Sequence, residues 1–206
     1  MPQIDIDGAN SKISADKIQG QSGSTITVPT GHTVAITDSG GLTLAGTAVN
    51  AGGLYASIAI IQDQKAYDTH GGTFTSGAWR TRDLNTEVSD ADGIVSIASN
   101  QFTLQAGTYT IEWRTNVLEV NEAQTRLYNI TDSSVTGVGM QEYTSSGNTV
   151  SSLMQGDAVT TISGAKVFEV QAYCGTTQAN YGLGHRSQLV SDTVNVYTTV
   201  KILKHA

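Results

Sequence analysis

Residues 109–114 read YTIEWR, so large apolar side chains at the odd positions alternate with polar side chains at the even ones. Successive side chains of a β-strand point to opposite faces of a sheet. The stretch therefore predicts a strand with one face in a core and the other toward a more polar environment. The same alternation recurs in residues 168–174 and 193–202. No stretch shows the period of an amphipathic helix.

These strands belong to an all-β chain. The abundance of glycine (22 residues) and the scarcity of proline (2 residues) favour many short strands joined by glycine turns. Further strands are predicted for residues 57–62, 79–87, 94–98, 124–131, 135–143 and 150–154. We expect an antiparallel jelly-roll sandwich from residue 55 to residue 206, preceded by a short extended β-arm or β-prism shaft.

The composition limits the classes of partner. The net charge of -7 and the pI near 4.9 argue against binding to a nucleic-acid backbone or an anionic membrane. No apolar window is long enough for a membrane span, and the amino terminus, MPQIDIDGAN, has no signal-peptide pattern. We therefore expect a protein made in a cytoplasm, with no nucleic acid and no membrane insertion.

The first 54 residues differ from the rest. All 13 aromatic residues lie at or after Tyr55. A segment with few large side chains buries too little apolar area to offset an ordering cost of about 1–2 kcal/mol per residue. Residues 25–28, 33–37 and 42–44 alternate like very short strands, which are too short to be stable alone. We expect residues 1–54 to be an arm or shaft completed by other chains, and residues 55–206 to be a separate, associating domain.

The last predicted strand suggests association. Its alternation, in residues 193–202, places Tyr197 on the face opposite Val194, Val196 and Val200. A single sandwich has one interior, so a strand covered on both faces needs a second subunit. We expect a homotrimer, with Tyr109, Trp113 and Tyr197 at its interface.

Several phrases resemble a known family. They are IQDQK at 61–65, GGTF at 71–74, WRTRDLNTE at 79–87, QAGTY at 105–109 and the arm from KIQG at 17–20 to GGL at 40–42. They resemble the trimeric, tumour-necrosis-factor-like jelly-roll domains of tail-fibre and decoration proteins of tailed bacteriophages. The resemblance implies trimerisation through the flat inner sheet, attachment of the amino-terminal part to the particle, and exposed loops that meet the host surface.

The residues give no pattern for catalysis, a cofactor or a metal ion, and we expect no enzyme. The four histidines are dispersed, no Gly-x-Ser-x-Gly elbow is present, and the acidic turns at 5–8 and 90–93 lack the last calcium ligand. Asp68 and His70 are interpreted as a polar turn, and Cys174 as a core thiol. Paired carboxylates for glycoside hydrolysis remain an alternative with little room for a groove.

Three glycine-rich connections are candidates for recognition, at 68–77, 143–148 and 175–186. They offer aromatic or planar side chains among small polar ones, which suits sugar stacking and hydrogen bonding. The candidate receptor-contact residues are Tyr143, Asn148, Tyr181, His185 and Arg186. The alternative is that these segments are solvated turns.

The resemblance implies a structural protein of a phage virion, assembled in the host cytoplasm. It would be a trimeric fibre or knob that contacts other virion structural proteins through its arm and a host surface glycan or protein through its loops. The alternatives are a capsid decoration or cement protein without a receptor role, and a free trimeric carbohydrate-binding module.

Overall fold

A computed structural model describes residues 43–44, 47–48 and 54–206. Strands β1 (Thr43–Leu44) and β2 (Thr47–Ala48) form an antiparallel pair. The first of them coincides with the strand predicted at 42–44. The strands predicted at 25–28 and 33–37 lie outside the described residues. The chain divides into two units, residues 1–50 and 51–206.

Among its described residues, the second unit contains eleven further strands. They are β3 (Tyr55–Lys65), β4 (Arg80–Thr81), β5 (Thr86–Asp90), β6 (Val95–Ala98), β7 (Gln101–Leu104), β8 (Gly107–Leu118), β9 (Asn121–Asn129), β10 (Ser134–Thr144), β11 (Ser151–Ile162), β12 (Lys166–Cys174) and β13 (Asn195–His205).

The strands form two antiparallel sheets that pack face to face. One has the order β11-β8-β13-β3-β5 and is called the five-stranded sheet; the other has the order β10-β9-β12-β7-β6, with β4 also paired to β12, and is called the six-stranded sheet. Strand β13 lies between β3 and β8, and the chain neighbours β11 and β12 are in different sheets. Such long-range crossovers are those of a jelly roll, which confirms the predicted two-sheet sandwich.

The core lies between the sheets and is built from the odd positions of residues 109–113. Tyr109, Ile111 and Trp113 are at most 1% exposed and pack with Phe102, Phe168 and other apolar side chains of the facing sheet. The buried indole Nε1 of Trp113 donates to Thr125 Oγ1 at 3.1 Å, so its polar atom is satisfied. Full burial of each large apolar side chain contributes about 1.5–3 kcal/mol.

This burial corrects the residues proposed for the trimer interface. Tyr109, Trp113 and Tyr197 are covered within one chain, so another face must supply any subunit contact. The prediction for Tyr197 assumed unbroken alternation, but the pairing of β13 with β3 shifts between Val196 and Thr198. This bulge turns Val196 outward and Tyr197 inward.

The predicted strand at 79–87 is also corrected. It is divided into β4, which pairs with β12, and β5, which pairs with β3 in the other sheet. Between them the chain crosses from one sheet to the other, and the side chain of Arg82 is buried at this crossing. Alternation alone does not distinguish one strand from two short strands in different sheets.

Where the edge strands β10 and β11 approach each other, three glycines close one side of the sandwich. A Cβ atom at Gly156 would lie 2.2 Å from Trp113 Cζ2 and 2.7 Å from Gly139 Cα. A Cβ atom at Gly137 would lie 2.8 Å from Ala158 Cβ. Side chains at Gly156 and Gly137 would therefore separate the two edges and uncover the Trp113 ring.

The two ends of the sandwich differ. The longest connections leave from one end of the sandwich, which we call the loop end. The paired strand ends there are Leu118 with Ser151, Asn121 with Thr144, and Lys65 with Asn195. At the opposite end, called the terminal end, Tyr55 pairs with His205. The chain thus enters and leaves the sandwich at the end remote from the long loops.

Candidate functional site: the loop end of the sandwich

Two of the predicted recognition loops are joined to each other at the loop end. The backbone of Gly71 donates to Gly184 O at 3.0 Å, and Leu183 N donates to Gly72 O at 3.1 Å. Phe74 and Gln178 form an isolated antiparallel bridge. Segments 66–79 and 175–194 therefore form one surface, although they are far apart in sequence.

Gly184 lets this loop pair approach the body of the sandwich. Its φ is +133°, a conformation that residues with a Cβ atom rarely adopt. A Cβ atom there would lie 2.4 Å from Tyr197 Cδ1. The Tyr197 hydroxyl in turn donates to Thr69 O at 2.6 Å, so this one buried ring contacts both loops.

The buried side chain of Arg82 holds segment 175–194 through a hydrogen bond. Its side chain is 1% exposed, and it donates from Nη2 to Leu183 O at 3.0 Å and from Nε to Thr198 Oγ1 at 3.3 Å. Burial lowers the pKa of the guanidinium to about 10, against the opposing effect of Asp63 and Asp83. Arg82 therefore stays charged at neutral pH and connects β4, the loop and β13.

A buried carboxylate lies near this arginine. Asp63 is 1% exposed, and burial raises its pKa, while Lys65 at 3.1 Å acts in the opposite direction. Lys65 also contacts Asp83 at 2.8 Å. These groups balance charge beneath the loops and make the floor of the site polar.

Three rings form a cluster on the outer side of the loop pair. The ring centroids of His70 and His185 are 4.6 Å apart, those of His70 and Tyr181 are 5.5 Å apart, and those of Tyr181 and His185 are 6.0 Å apart. Centroid separations of about 4.5–7 Å are those of interacting aromatic rings. We call His70, Tyr181 and His185 the ring cluster.

Charged groups border the ring cluster. Arg186 Nε lies 3.0 Å from Asp68 Oδ1, and the backbone nitrogen of Arg186 donates to His70 Nδ1 at 3.2 Å. The pKa of His70 is lowered first by burial and then by the positive charges of His185 and Arg186, which outweigh Asp68. His70 is therefore held neutral, with Nδ1 as an acceptor.

Tyr181 is held by a residue in an unusual conformation. Glu119, in the short β8–β9 connection, has a φ of +56°. Its Oε2 accepts from Gln178 Nε2 at 2.7 Å and lies 3.5 Å from the Tyr181 hydroxyl. Left-handed backbone in a non-glycine residue is costly and is often found where a side chain is positioned for function.

The predicted contact residues fall into two groups. Tyr181, His185 and Arg186 belong to the ring cluster and its border. Tyr143 is 62% exposed on β10 and Asn148 lies in the β10–β11 turn; no contact joins either of them to the ring cluster. His70, interpreted from sequence together with Asp68 as a polar turn, belongs to the ring cluster, and Asp68 lies at its border through Arg186. In the sequence, only the glycine pair at 71–72 indicates that segments 66–79 and 175–194 can approach each other closely.

The outer face of the five-stranded sheet is a second candidate surface. In one row across this sheet, Val159 pairs with Thr110, Thr110 with Leu203, and Leu203 with Ile58. Val159 is 66% exposed and Ile58 is 48% exposed. The next row carries the ion pair of Lys201 with Glu112, at 3.5 Å. In the first row Leu203 is 3% exposed, so Ile58 and Val159 supply the exposed apolar surface of that row, which we call the apolar row. Apolar surface bordered by charged groups is typical of a subunit contact.

The described residues include no group of three or more potential metal ligands, and no helix among them is long and apolar enough to cross a membrane. Cys174 is buried, as predicted, and burial raises the pKa of its thiol to about 11. A protonated, covered thiol is a poor nucleophile.

Comparison with known proteins concerns the fold. No protein-family model and no curated protein matches the sequence. Among solved structures, the globular domain of a zebrafish complement 1qA protein is 17% identical, with 71% of this chain and 94% of that chain covered and a TM-score of 0.43. Murine APRIL at pH 5.0 is 8% identical, with 72% and 98% covered and a TM-score of 0.48.

Proposed function

We propose that the chain is a non-enzymatic, homotrimeric jelly-roll protein of a tailed-phage virion that attaches through its amino-terminal arm and presents the loop end outward, toward a host surface. The observation that carries the proposal is the separation of the two ends. Leu54 O accepts from Ala206 N at 3.4 Å at the terminal end, whereas the ring cluster and the long connections are at the loop end. A protein anchored through residues preceding Leu54 would leave those loops free to contact a partner.

The trimer is supported by the apolar row of the five-stranded sheet. Fully burying an aliphatic side chain contributes about 1.5–3 kcal/mol, and Ile58 and Val159 have much of their surface still exposed. Both lie on the outer face of a sheet whose inner face is already used for the core. Association of three such faces would cover these two side chains.

The oligomeric state of the full chain tests this interface. Sedimentation equilibrium should give three times the mass of 21.6 kDa. Ile58→Glu and Val159→Glu should each shift the protein toward monomer, because a carboxylate would be desolvated in the interface. The matched control is Leu189→Glu, since Leu189 is 91% exposed in a loop outside the sheet. A monomer at micromolar concentration for the unaltered chain would refute the interface.

The virion role rests on the sequence resemblance and needs its own experiment. Mass spectrometry of purified particles should detect the chain in constant ratio to the other structural proteins. Absence from the particles would refute the virion assignment and favour a free binding module. Purified protein should also compete with particles for host adsorption; failure to compete, with the chain present on the particle, would favour a decoration or cement role.

A further inference from the structure

The outer face of the six-stranded sheet carries an aromatic pair, Trp79 and Tyr173, that is separate from the ring cluster. Trp79 directly precedes β4, where Arg80 pairs with Ala172, and this places its ring beside Tyr173 of β12. The ring centroids are 5.7 Å apart with an interplanar angle of 66°. Tyr173 is 36% exposed, so the pair lies at the surface of the sheet.

A cation stacks on Trp79 of this pair. The guanidinium carbon of Arg126 lies 4.0 Å from the Trp79 ring centroid and 4.8 Å from that of Tyr128. Arg126 Nε donates to Gln171 Oε1 at 2.7 Å. Because one face of the indole is already stacked and the cation is hydrogen-bonded, the ring needs little further ordering when a ligand binds.

A shallow depression adjoins the two rings. Its volume is about 570 Å³, and it is lined by Trp79 and Tyr173 together with Glu122, Gln124, Gln141 and Gly175. Small-molecule sites are typically about 300–1,000 Å³. The strand register explains the lining, since Gln124 pairs with both Gln141 and Tyr173 across three neighbouring strands.

The absence of a side chain at Gly175 keeps this depression open. A Cβ atom there would lie 2.9 Å from Glu122 Oε2. Tyr143, one of the predicted contact residues, pairs with Glu122 on β10 and is exposed beside the depression. The site thus has aromatic walls and a rim of one carboxylate and two amides.

We propose that this depression binds a neutral pyranose unit of a glycan. A pyranose has an apolar C–H face, which packs on exposed aromatic rings, and a periphery of hydroxyl groups, which pair with amides and carboxylates. The Glu122 carboxylate and the net charge of -7 oppose a sugar that carries an acid group. The site lies on a different face from the ring cluster and goes beyond the proposed function, since it requires neither the trimer nor a particle.

Sugar binding by the full chain tests the proposal directly. The probes are methyl β-D-galactopyranoside, methyl β-D-glucopyranoside, methyl N-acetyl-β-D-glucosaminide and, as the acidic comparison, D-glucuronate. Saturation-transfer NMR detects contact, and acrylamide quenching of tryptophan fluorescence reports the site. Trp113 is only 1% exposed, so protection from the quencher reports Trp79. We expect at least one neutral glycoside to bind with a Kd on the order of 1 mM and to protect Trp79.

Two variants and one control decide the location. Trp79→Ala should weaken binding at least about tenfold, a change of about 1.4 kcal/mol. Gly175→Leu should do the same by filling the depression while the tryptophan fluorescence is retained. Leu189→Ala, at a loop residue that is 91% exposed and does not line the depression, should leave sugar binding unchanged. The proposal is overturned if no neutral glycoside binds, if only the acidic sugar binds, or if Trp79→Ala and Gly175→Leu preserve binding as Leu189→Ala does.

Discussion

Replacing Gly156 with alanine should strongly destabilise the sandwich. The added Cβ would lie 2.2 Å from Trp113 Cζ2 and 2.6 Å from Cε2. Carbon atoms pack favourably at about 3.5–4.0 Å, so the ring or strand β11 has to move by more than about 1 Å. The ring is fully buried and fixed by its hydrogen bond to Thr125, and the opposite side is blocked by the backbone of Gly139.

The cost follows from that geometry. Overpacking a filled core costs about 1–3 kcal/mol, and the lack of a free direction puts Gly156→Ala near 3 kcal/mol. For a domain of this size, this lowers the melting temperature by about 6–12 °C. Calorimetry at one fixed protein concentration measures the shift, since association also stabilises the fold.

A matched glycine supplies the control. A Cβ atom at Gly164 would meet nothing within 4 Å, so Gly164→Ala should change the melting temperature little. In a Trp113→Phe background the smaller ring should reduce the added cost of Gly156→Ala, which appears as a coupling energy in a double-mutant cycle. A Gly156→Ala protein that melts within about 2 °C of the unaltered one would refute the packing argument.

Three further predictions concern the loop end and the buried thiol. Arg82→Leu should lower the free energy of unfolding by about 3 kcal/mol, because it leaves buried acceptors unpaired. Hydrogen exchange of the Leu183 amide should become faster in this variant. Unchanged protection of that amide would contradict the role of Arg82 in holding the loop. Cys174 should not react with a thiol reagent until the protein is unfolded, because its pKa is about 11; fast labelling of the native chain would contradict its burial. The lowered pKa of His70 means that the unfolded chain binds its proton more tightly than the folded chain, so stability should fall as pH drops through the ordinary histidine pKa of 6.5. His70→Asn should reduce this dependence, as measured by urea unfolding between about pH 7.5 and pH 5.5, and an unchanged slope would contradict the assignment.

Local alternation was sufficient to predict the fold class and much of the core. Tyr109, Ile111 and Trp113 lie inward as their spacing predicts, because a strand has only two faces. The failures occur where the chain departs from a regular strand. The bulge at Tyr197 reverses one side chain, and the crossing at Arg82 divides one predicted strand between two sheets.

The candidate sites were less predictable than the fold. Tyr181, His185 and Arg186 are adjacent in sequence and were found together, but His70 joins them through a contact across 115 positions of chain. Trp79 and Tyr173 meet because β4 pairs with β12, and no local pattern encodes that pairing. Contacts of this kind depend on the tertiary arrangement of the sheets.

The way in which Arg82 holds the loop affects how readily its tip can change during evolution. Two of its acceptors are the main-chain oxygens of Leu183 and Tyr197, which every amino acid possesses. The side chains at positions 181, 185 and 186 can therefore be exchanged without removing that anchor. Sequence variation at this tip is thereby uncoupled from the packing that holds the loop to the sandwich.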